Sequence, residues 1–216
     1  DWCRSIDFCY WKTPQMELAG KTMGIIGFGR IGQQTGRIAK AMGMRILAHS
    51  PHPSDSGREI GEYVDLDTLL AESDVIALHC PLFPETAGII NRDTIAKMKD
   101  GVRILNFARG ELVASKDIID ALASGKAGAY VTDFPTDEQL GAEGVTAIPH
   151  LGASTPESED NCAVAAVKQV RDFLENGNLT NCVNFPNCQM GVCTAASRVG
   201  IFHDNPVFTG LTYIFF

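Results

Sequence analysis

Three kinds of side chain with complementary chemistry stand at the ends of short apolar runs. Arg109 closes the segment Asn106-Phe107-Ala108-Arg109-Gly110, which ends the run from Val102 to Phe107. His150 lies in Pro149-His150-Leu151-Gly152-Ala153-Ser154-Thr155, which follows the run from Val145 to Ile148. Between them, Asp133-Phe134-Pro135-Thr136-Asp137-Glu138 offers carboxylates. A guanidinium forks onto a carboxylate through two parallel N–H···O bonds. An imidazole takes up or returns a hydroxyl proton near neutral pH. An acid beside that imidazole orients it and stabilises its cation. Together these types suit the oxidation of a 2-hydroxy acid, or the reduction of a 2-keto acid.

A second pattern stands near the start of the chain. Gly27-Phe28-Gly29-Arg30-Ile31-Gly32 follows an apolar run and opens a helical stretch. In that setting Gly27 permits a tight turn, Gly29 lets the backbone approach a pyrophosphate, and Gly32 lets helix and strand pack closely. Free amides at the helix start then face the phosphate charge. The same fingerprint expects an acid about 20 residues further on, against the ribose hydroxyls. Here Ser50 occupies that place, within Ala48-His49-Ser50-Pro51-His52. NAD is the expected cofactor, but a serine does not repel a 2′-phosphate, so NADP stays open. Arg58 is a candidate for a 2′-phosphate or an ordinary exposed loop arginine. His49 and His52 have no obvious third metal ligand and read as solvated side chains, so no metal site is expected.

The elements that position these groups alternate. Apolar runs at Met23–Ile26, Met44–Ala48, Val75–Leu78, Val102–Phe107, Ala129–Val131 and Val145–Ile148 read as strands. Helical stretches at Arg30–Met42, Asp67–Glu72 and Ser115–Ser124 fall between them. Strand and helix in alternation predict an α/β fold, a doubly wound and mainly parallel sheet of Rossmann type. Thr155-Pro156-Glu157 is a helix start, with a hydroxyl cap and proline in the first turn. That helix is expected to reach about Glu175, before Asn176-Gly177-Asn178. The domain plan is then a terminal segment at 1–17, a dinucleotide-binding domain at 18–179, a linker at 180–191 and a further piece at 192–216. Trp2, Phe8, Tyr10 and Trp11 crowd the first segment without a clear period.

Composition narrows the classes. The chain has 216 residues, 45% hydrophobic and 20% charged, enough for a buried core. A net charge of -8 argues against a nucleic-acid partner, since phosphate neutralisation needs a basic face. No stretch approaches the ~18 apolar residues of a membrane span, and no basic-then-apolar signal segment opens the chain. The seven cysteines form no C-x-x-C pair and read as reduced thiols of a cytoplasmic protein.

These segments together resemble the D-isomer-specific 2-hydroxyacid dehydrogenases. The likeness rests on the glycine turn, His79-Cys80-Pro81-Leu82 with Thr86 and Ile90-Asn91, the Asn106–Gly110 segment and the Pro149–Thr155 segment. It runs from about Glu17 to about Pro186 and is strongest toward the phosphoglycerate dehydrogenase branch, through His150-Leu151-Gly152-Ala153-Ser154-Thr155-Pro156-Glu157. The resemblance implies Arg109 as the substrate-carboxylate arginine, Glu138 as the partner of the histidine and His150 as proton donor or acceptor. Asp137 is the alternative partner if the local Phe-Pro-Thr text is matched instead. The backbone of Arg30 and Ile31 would hold the pyrophosphate, and Ser50 would lie at the ribose. Phe107, Ala108, Asp133, Leu151, Gly152 and Ala153 would border the nicotinamide. The implied activity is NAD-dependent interconversion of 3-phospho-D-glycerate and 3-phosphohydroxypyruvate, the opening step of L-serine biosynthesis. Other members reduce glyoxylate or hydroxypyruvate, and some proteins of this fold sense NAD as non-catalytic regulators.

The tail carries a second likeness. Arg198-Val199-Gly200-Ile201-Phe202-His203-Asp204-Asn205-Pro206 is similar to the first strand and turn of an ACT domain, with His203 and Asn205 matching its amino-acid-binding pair. That would make serine a further ligand. Family members begin with a substrate lobe of about 100 residues, the size of a small domain, and form homo-oligomers. The expectation is therefore a fragment of a larger enzyme, which alone binds cofactor and turns over poorly.

Overall fold

Seven strands form in the computed structural model, which describes residues 15–196. The aromatic cluster before residue 15, the ACT-like segment, His203 and Asn205 lie outside the described residues. The strands are β1 (Thr22–Ile26), β2 (Arg45–His49), β3 (Glu62–Tyr63), β4 (Val75–Leu78), β5 (Val102–Asn106), β6 (Ala127–Thr132) and β7 (Val145–Ala147). They make one sheet in the order β3-β2-β1-β4-β5-β6-β7. Every neighbouring pair is parallel. The winding reverses between β1 and β4, which creates a switch point at the carboxyl edge of the sheet.

Alternation along the strands separates two apolar faces. Ile26, Leu47, Ile76, Leu78 and Ile104 belong to one buried cluster. Met23, Ile25, Ile46, Ala48 and Val75 belong to the other. Both clusters are needed because a parallel sheet is covered on each face. Each fully buried Leu or Ile stabilises the fold by about 1.5–3 kcal/mol relative to exposure.

The helices are α1 (Arg30–Ala41), α2 (Asp55–Arg58), α3 (Leu66–Glu72), α4 (Arg92–Ala96), α5 (Ser115–Ala123) and α6 (Pro156–Asn176). The strands and longer helices fall where the apolar periodicity puts them, within a few residues at each end. Three short elements escape it: α2, β3 and α4. They are polar and are set by side chains rather than by an apolar face. Ser54 Oγ accepts the Gly57 amide at the start of α2. Asn91 and Thr94 form a reciprocal capping box at α4.

The chain divides into two compact units at His150/Leu151. In the second, Thr155 Oγ1 accepts the Ser158 amide at 3.2 Å, and Gly177 ends α6 in the left-handed region at φ 73°. The stretch expected as a linker folds back within this unit. Leu179 and Cys188 exchange two backbone hydrogen bonds, of 2.8 and 2.9 Å. Asn178 Oδ1 accepts the Met190 amide, and Asn176 Oδ1 accepts the Cys193 amide. The asparagines that read as loop residues are therefore what pins the segment. Among the described residues, no helix is long and apolar enough to cross a membrane.

Candidate active site

A parallel sheet brings every strand-to-helix loop to one edge. The glycine turn follows β1, Ser50 follows β2, His79 follows β4, Arg109 follows β5, Asp133 follows β6, and His150 lies beyond β7.

At the β1 end the site is made of backbone. Gly27 has φ 92°, and a Cβ there would collide with the backbone of Cys80. A Cβ at Gly32 would collide with the Gly27 carbonyl. Both glycines are thus required by packing. Gly29 differs: a Cβ there would meet nothing within 4 Å. No protein atom fills the space beside it, which fits a pyrophosphate approaching the main chain. Gly29 is also the N-cap of α1, makes no side-chain cap, and is followed by no acid in the first turn. The leading amides of α1, including those of Arg30 and Ile31, are thus available for a phosphate, and the helix dipole favours its charge.

Gln33 ties this turn to the loop after β2. Its amide nitrogen donates to the Phe28 carbonyl and to Ser54 Oγ, each at 3.1 Å. Its amide oxygen accepts from Ser56 Oγ at 3.0 Å. Ser50 is half-buried at the tip of β2. Arg58 stacks over Tyr63, with its guanidinium carbon 5.5 Å from the ring centroid. His49 Nδ1 lies 3.2 Å from the Val64 carbonyl. Among the described residues, no three His, Cys, Asp or Glu side chains converge as a metal site would require.

His79 lies beside α1. Its Nε2 is 3.1 Å from Thr35 Oγ1. That hydroxyl also donates to the Ile31 carbonyl at 3.2 Å. With its one proton so used, the hydroxyl accepts from His79, which fixes the Nε2–H tautomer. Burial pushes the pKa of His79 down.

At the β5–β7 end the site is made of side chains. Asn106, fully buried, anchors the loop that carries Arg109. Its Nδ2 donates to the Arg109 carbonyl at 2.9 Å and to Tyr130 Oη at 3.2 Å, and its Oδ1 accepts the Ala108 amide. Burial raises the pKa of Tyr130 and keeps it a neutral partner. The Arg109 side chain is exposed, and its guanidinium carbon lies 5.4 Å from the centroid of the Phe134 ring. That distance is within cation–π range. The His150 ring lies 4.3 Å from the same phenyl, tilted by 38°. One aromatic ring thus contacts both the arginine and the histidine. Phe107 is exposed and Ala108 is half-buried.

The acid at the imidazole is Asp133, whose Oδ2 lies 2.7 Å from His150 Nδ1. The structure thus places Asp133 against the imidazole, where the resemblance implies Glu138. Among the described residues Glu138 makes no hydrogen bond or ion pair, and both it and Asp137 are exposed. The turn geometry gives the reason. Gln139 is the buried residue of the Thr136–Leu140 turn, with Nε2 donating to Ser115 Oγ at 3.0 Å and Oε1 accepting the Thr136 amide. Gln139 faces inward, and its neighbour Glu138 faces solvent. Leu151, Gly152 and Ala153 open the second unit and are exposed.

Sequence reasoning missed Gln33 and Phe134 as site residues. Gln33 carries no local signal, because its partners arrive from a loop about 20 positions away. Phe134 did carry one, as an aromatic directly beside the candidate acid.

Comparison with known proteins agrees with this geometry. Residues 2–152 match the family described as D-isomer specific 2-hydroxyacid dehydrogenase, NAD binding domain. A hydroxypyruvate reductase of Blautia hydrogenotrophica is 48% identical over 191 residues, covering 85% of this chain and 59% of its own length. A D-3-phosphoglycerate dehydrogenase of Synechocystis sp. is 39% identical, over 85% of this chain and 35% of its own. Among solved structures, a glyoxylate reductase from Paecilomyes thermophila aligns with a TM-score of 0.74 at 35% identity, over 80% of this chain and 55% of its own. The NAD-complexed D-isomer specific 2-hydroxyacid dehydrogenase of Lactobacillus delbrueckii ssp. bulgaricus aligns with a TM-score of 0.74 at 28% identity, over 79% and 58%. The chain therefore spans 35–59% of the length of these relatives. With the glycine cradle, the parallel sheet and the Arg109–His150 edge in place, the chain belongs to the D-isomer-specific 2-hydroxyacid dehydrogenases, whose NAD-binding domain it carries.

Proposed function

We propose that the protein is an NAD-dependent oxidoreductase that interconverts a D-2-hydroxy acid and its 2-keto acid. The observation that carries this reading is the placement of Arg109 and His150 against one phenyl ring, at the sheet edge that also bears the glycine cradle. Arg109 holds the substrate carboxylate. His150, with Nδ1 engaged, offers Nε2 to the C2 hydroxyl proton. As that O–H bond breaks, the C2–H bond also breaks and a C2=O bond forms, a two-electron oxidation. The cradle at Gly27–Gly32 would hold NAD, which would accept the departing hydride. In the reverse direction His150 returns the proton. In the complete dehydrogenase, replacing His150 with Ala is expected to lower turnover at least about a hundredfold, the usual worth of a general acid–base group, while NAD affinity stays within about twofold. Retained turnover in that variant overturns the reading.

The substrate we favour is the pair 3-phospho-D-glycerate and 3-phosphohydroxypyruvate. The His150–Glu157 text, the ACT-like text at Arg198–Pro206 and the 39% identity to a phosphoglycerate dehydrogenase support it. The 48% identity to a hydroxypyruvate reductase favours a second reading, in which the keto acid is unphosphorylated. Comparing kcat/KM for 3-phosphohydroxypyruvate and hydroxypyruvate with NADH separates the two. Preference for the phosphate ester supports the first, and preference for hydroxypyruvate the second. The first reading brings with it a cytoplasmic homo-oligomer with serine as a ligand of the ACT-like segment.

A further inference from the structure

We infer that the tip of β2 accepts a dinucleotide bearing a phosphate on its adenosine ribose, so that the protein binds NADP as well as NAD, with Ser50 and Arg58 setting this breadth. The inference rests on the glycine cradle being the coenzyme site and adds which coenzymes that site admits.

The first observation is that the discriminating acid is replaced. In this fold a carboxylate at the end of the second strand accepts from the ribose hydroxyls, and its charge repels a 2′-phosphate. Here the segment reads His49-Ser50-Pro51-His52-Pro53-Ser54, without Asp or Glu. The neighbouring acids do not take over the role. Asp55 comes next in the chain, but it opens α2, past the point where Ser54 is tied to Gln33 of α1. Pro51 and Pro53 stiffen the backbone between Ser50 and that tie. Asp65, just past β3, spends both carboxylate oxygens on Thr68.

The second observation is that the groups present suit either coenzyme. Ser50 is half-buried, and among the described residues its hydroxyl makes no hydrogen bond. A hydroxyl accepts from a ribose O–H or donates to a phosphate oxygen, so it serves both. Arg58 is exposed and stacks over Tyr63 at 5.5 Å. Tyr63 is rooted at the same place. It pairs with Ala48, two residues before Ser50, and its Oη accepts the Ser54 amide at 3.2 Å. The ring therefore keeps the guanidinium beside the loop that Ser50 begins. Among the described residues Arg58 makes no ion pair and donates no side-chain hydrogen bond. Arg45 and Arg92 differ, each being held by two acids. A guanidinium packed through its face keeps its N–H edge for an oxyanion, and its planar fork matches a phosphate.

The two features act in opposite directions on the two coenzymes. An unphosphorylated ribose loses the carboxylate that would favour it. A 2′-phosphate escapes repulsion and gains a cation. Selectivity, which is a difference of affinities, is thereby reduced from both sides.

The test is fluorescence titration of this chain with NADH and NADPH in parallel. The two dissociation constants are expected to lie within about tenfold of each other, the reach of a single hydrogen bond to a charged group. Ser50→Asp is expected to weaken NADPH at least about tenfold through like-charge repulsion, and not to weaken NADH. Arg58→Gln is expected to weaken NADPH about fivefold to tenfold, as loss of one charge-assisted bond would, with NADH within about twofold. NADH bound more than about a hundredfold tighter than NADPH by wild type overturns the inference and leaves the cradle as an NAD site. Unchanged NADPH affinity in both variants overturns the roles of Ser50 and Arg58. Binding of neither coenzyme overturns the cradle itself, and the inference with it. If Ser50→Asp fails to fold, the wild-type ratio and Arg58→Gln still decide.

Discussion

The two ends of this site are built by opposite means. At β1 the cradle is backbone, shaped by Gly27 and Gly32, which cannot bear a side chain, with open space beside Gly29. At β5–β7 the site is side chain, held by one buried asparagine, one buried acid and one phenyl ring. A backbone site tolerates almost no substitution but needs only local sequence to form. A side-chain site uses common residue types but depends on strand register to choose partners. The difference predicts that a change at Gly27 or Gly32 harms the fold together with binding, while a change at the other end harms chemistry first.

The sharpest way to break that comparison is Gly27→Ala. The new Cβ would strike the Cys80 backbone, and φ 92° is strained for any L side chain. Left-handed strain of about 1–2 kcal/mol and overpacking of about 1–3 kcal/mol act together. The expected loss is about 3 kcal/mol in urea-monitored stability, with NAD binding lost as well. Wild-type stability in Gly27→Ala would mean that the turn is softer than its contacts imply.

Gly29→Ala sharpens the comparison, because it separates fold from ligand. Its Cβ enters open space at an ordinary φ of -80°. Stability is expected to stay within about 0.5 kcal/mol of wild type, as for a surface substitution without a structural role. NAD affinity is expected to fall about tenfold, or ~1.4 kcal/mol, since the methyl occupies the space of approach. Isothermal titration beside a denaturation curve reads both quantities. Unchanged affinity would show that the pyrophosphate does not approach the main chain at Gly29.

The contrast also explains what was legible in the sequence. Gly27, Gly29 and Gly32 announce themselves by spacing, because the turn requires glycine at those points. Six of the seven strands announce themselves as apolar runs, because the sheet is largely buried on both faces, with the edge strand β7 the more exposed of them. β3 does not, since Glu62 and Tyr63 form a short polar edge whose place is set by Leu47 and Ala48 of β2. Arg109 and His150 are legible because strongly polar residues end apolar runs at the ligand-binding edge. The choice of Asp133 over Glu138 is not. It depends on the β6–β7 register and on the inward turn of Gln139, and no residue count along the chain reports either. Gln33 is hidden for the same reason, since its partners Ser54 and Ser56 come from a loop without apolar pattern.

His79 sits between the two regimes, a half-buried side chain beside the cradle, and it yields the smallest expected effect. Burial lowers its pKa below the ordinary 6.5. The folded state therefore resists protonation more than the unfolded state does. Above 6.5 both states hold a neutral imidazole, and the stability associated with it is fully present. As the pH falls below 6.5 the unfolded chain takes up the proton first, and stability declines until the folded-state pKa is passed. Carboxylates elsewhere lose stability in acid too, so the informative quantity is a difference. His79→Gln keeps a donor for Thr35 but does not titrate. The urea midpoint of wild type is expected to fall more steeply than that of His79→Gln as pH drops below 6.5, with parallel curves above it. Parallel curves throughout would mean that the imidazole gains its proton without leaving its place beside Thr35, and that the cradle tolerates a cation there.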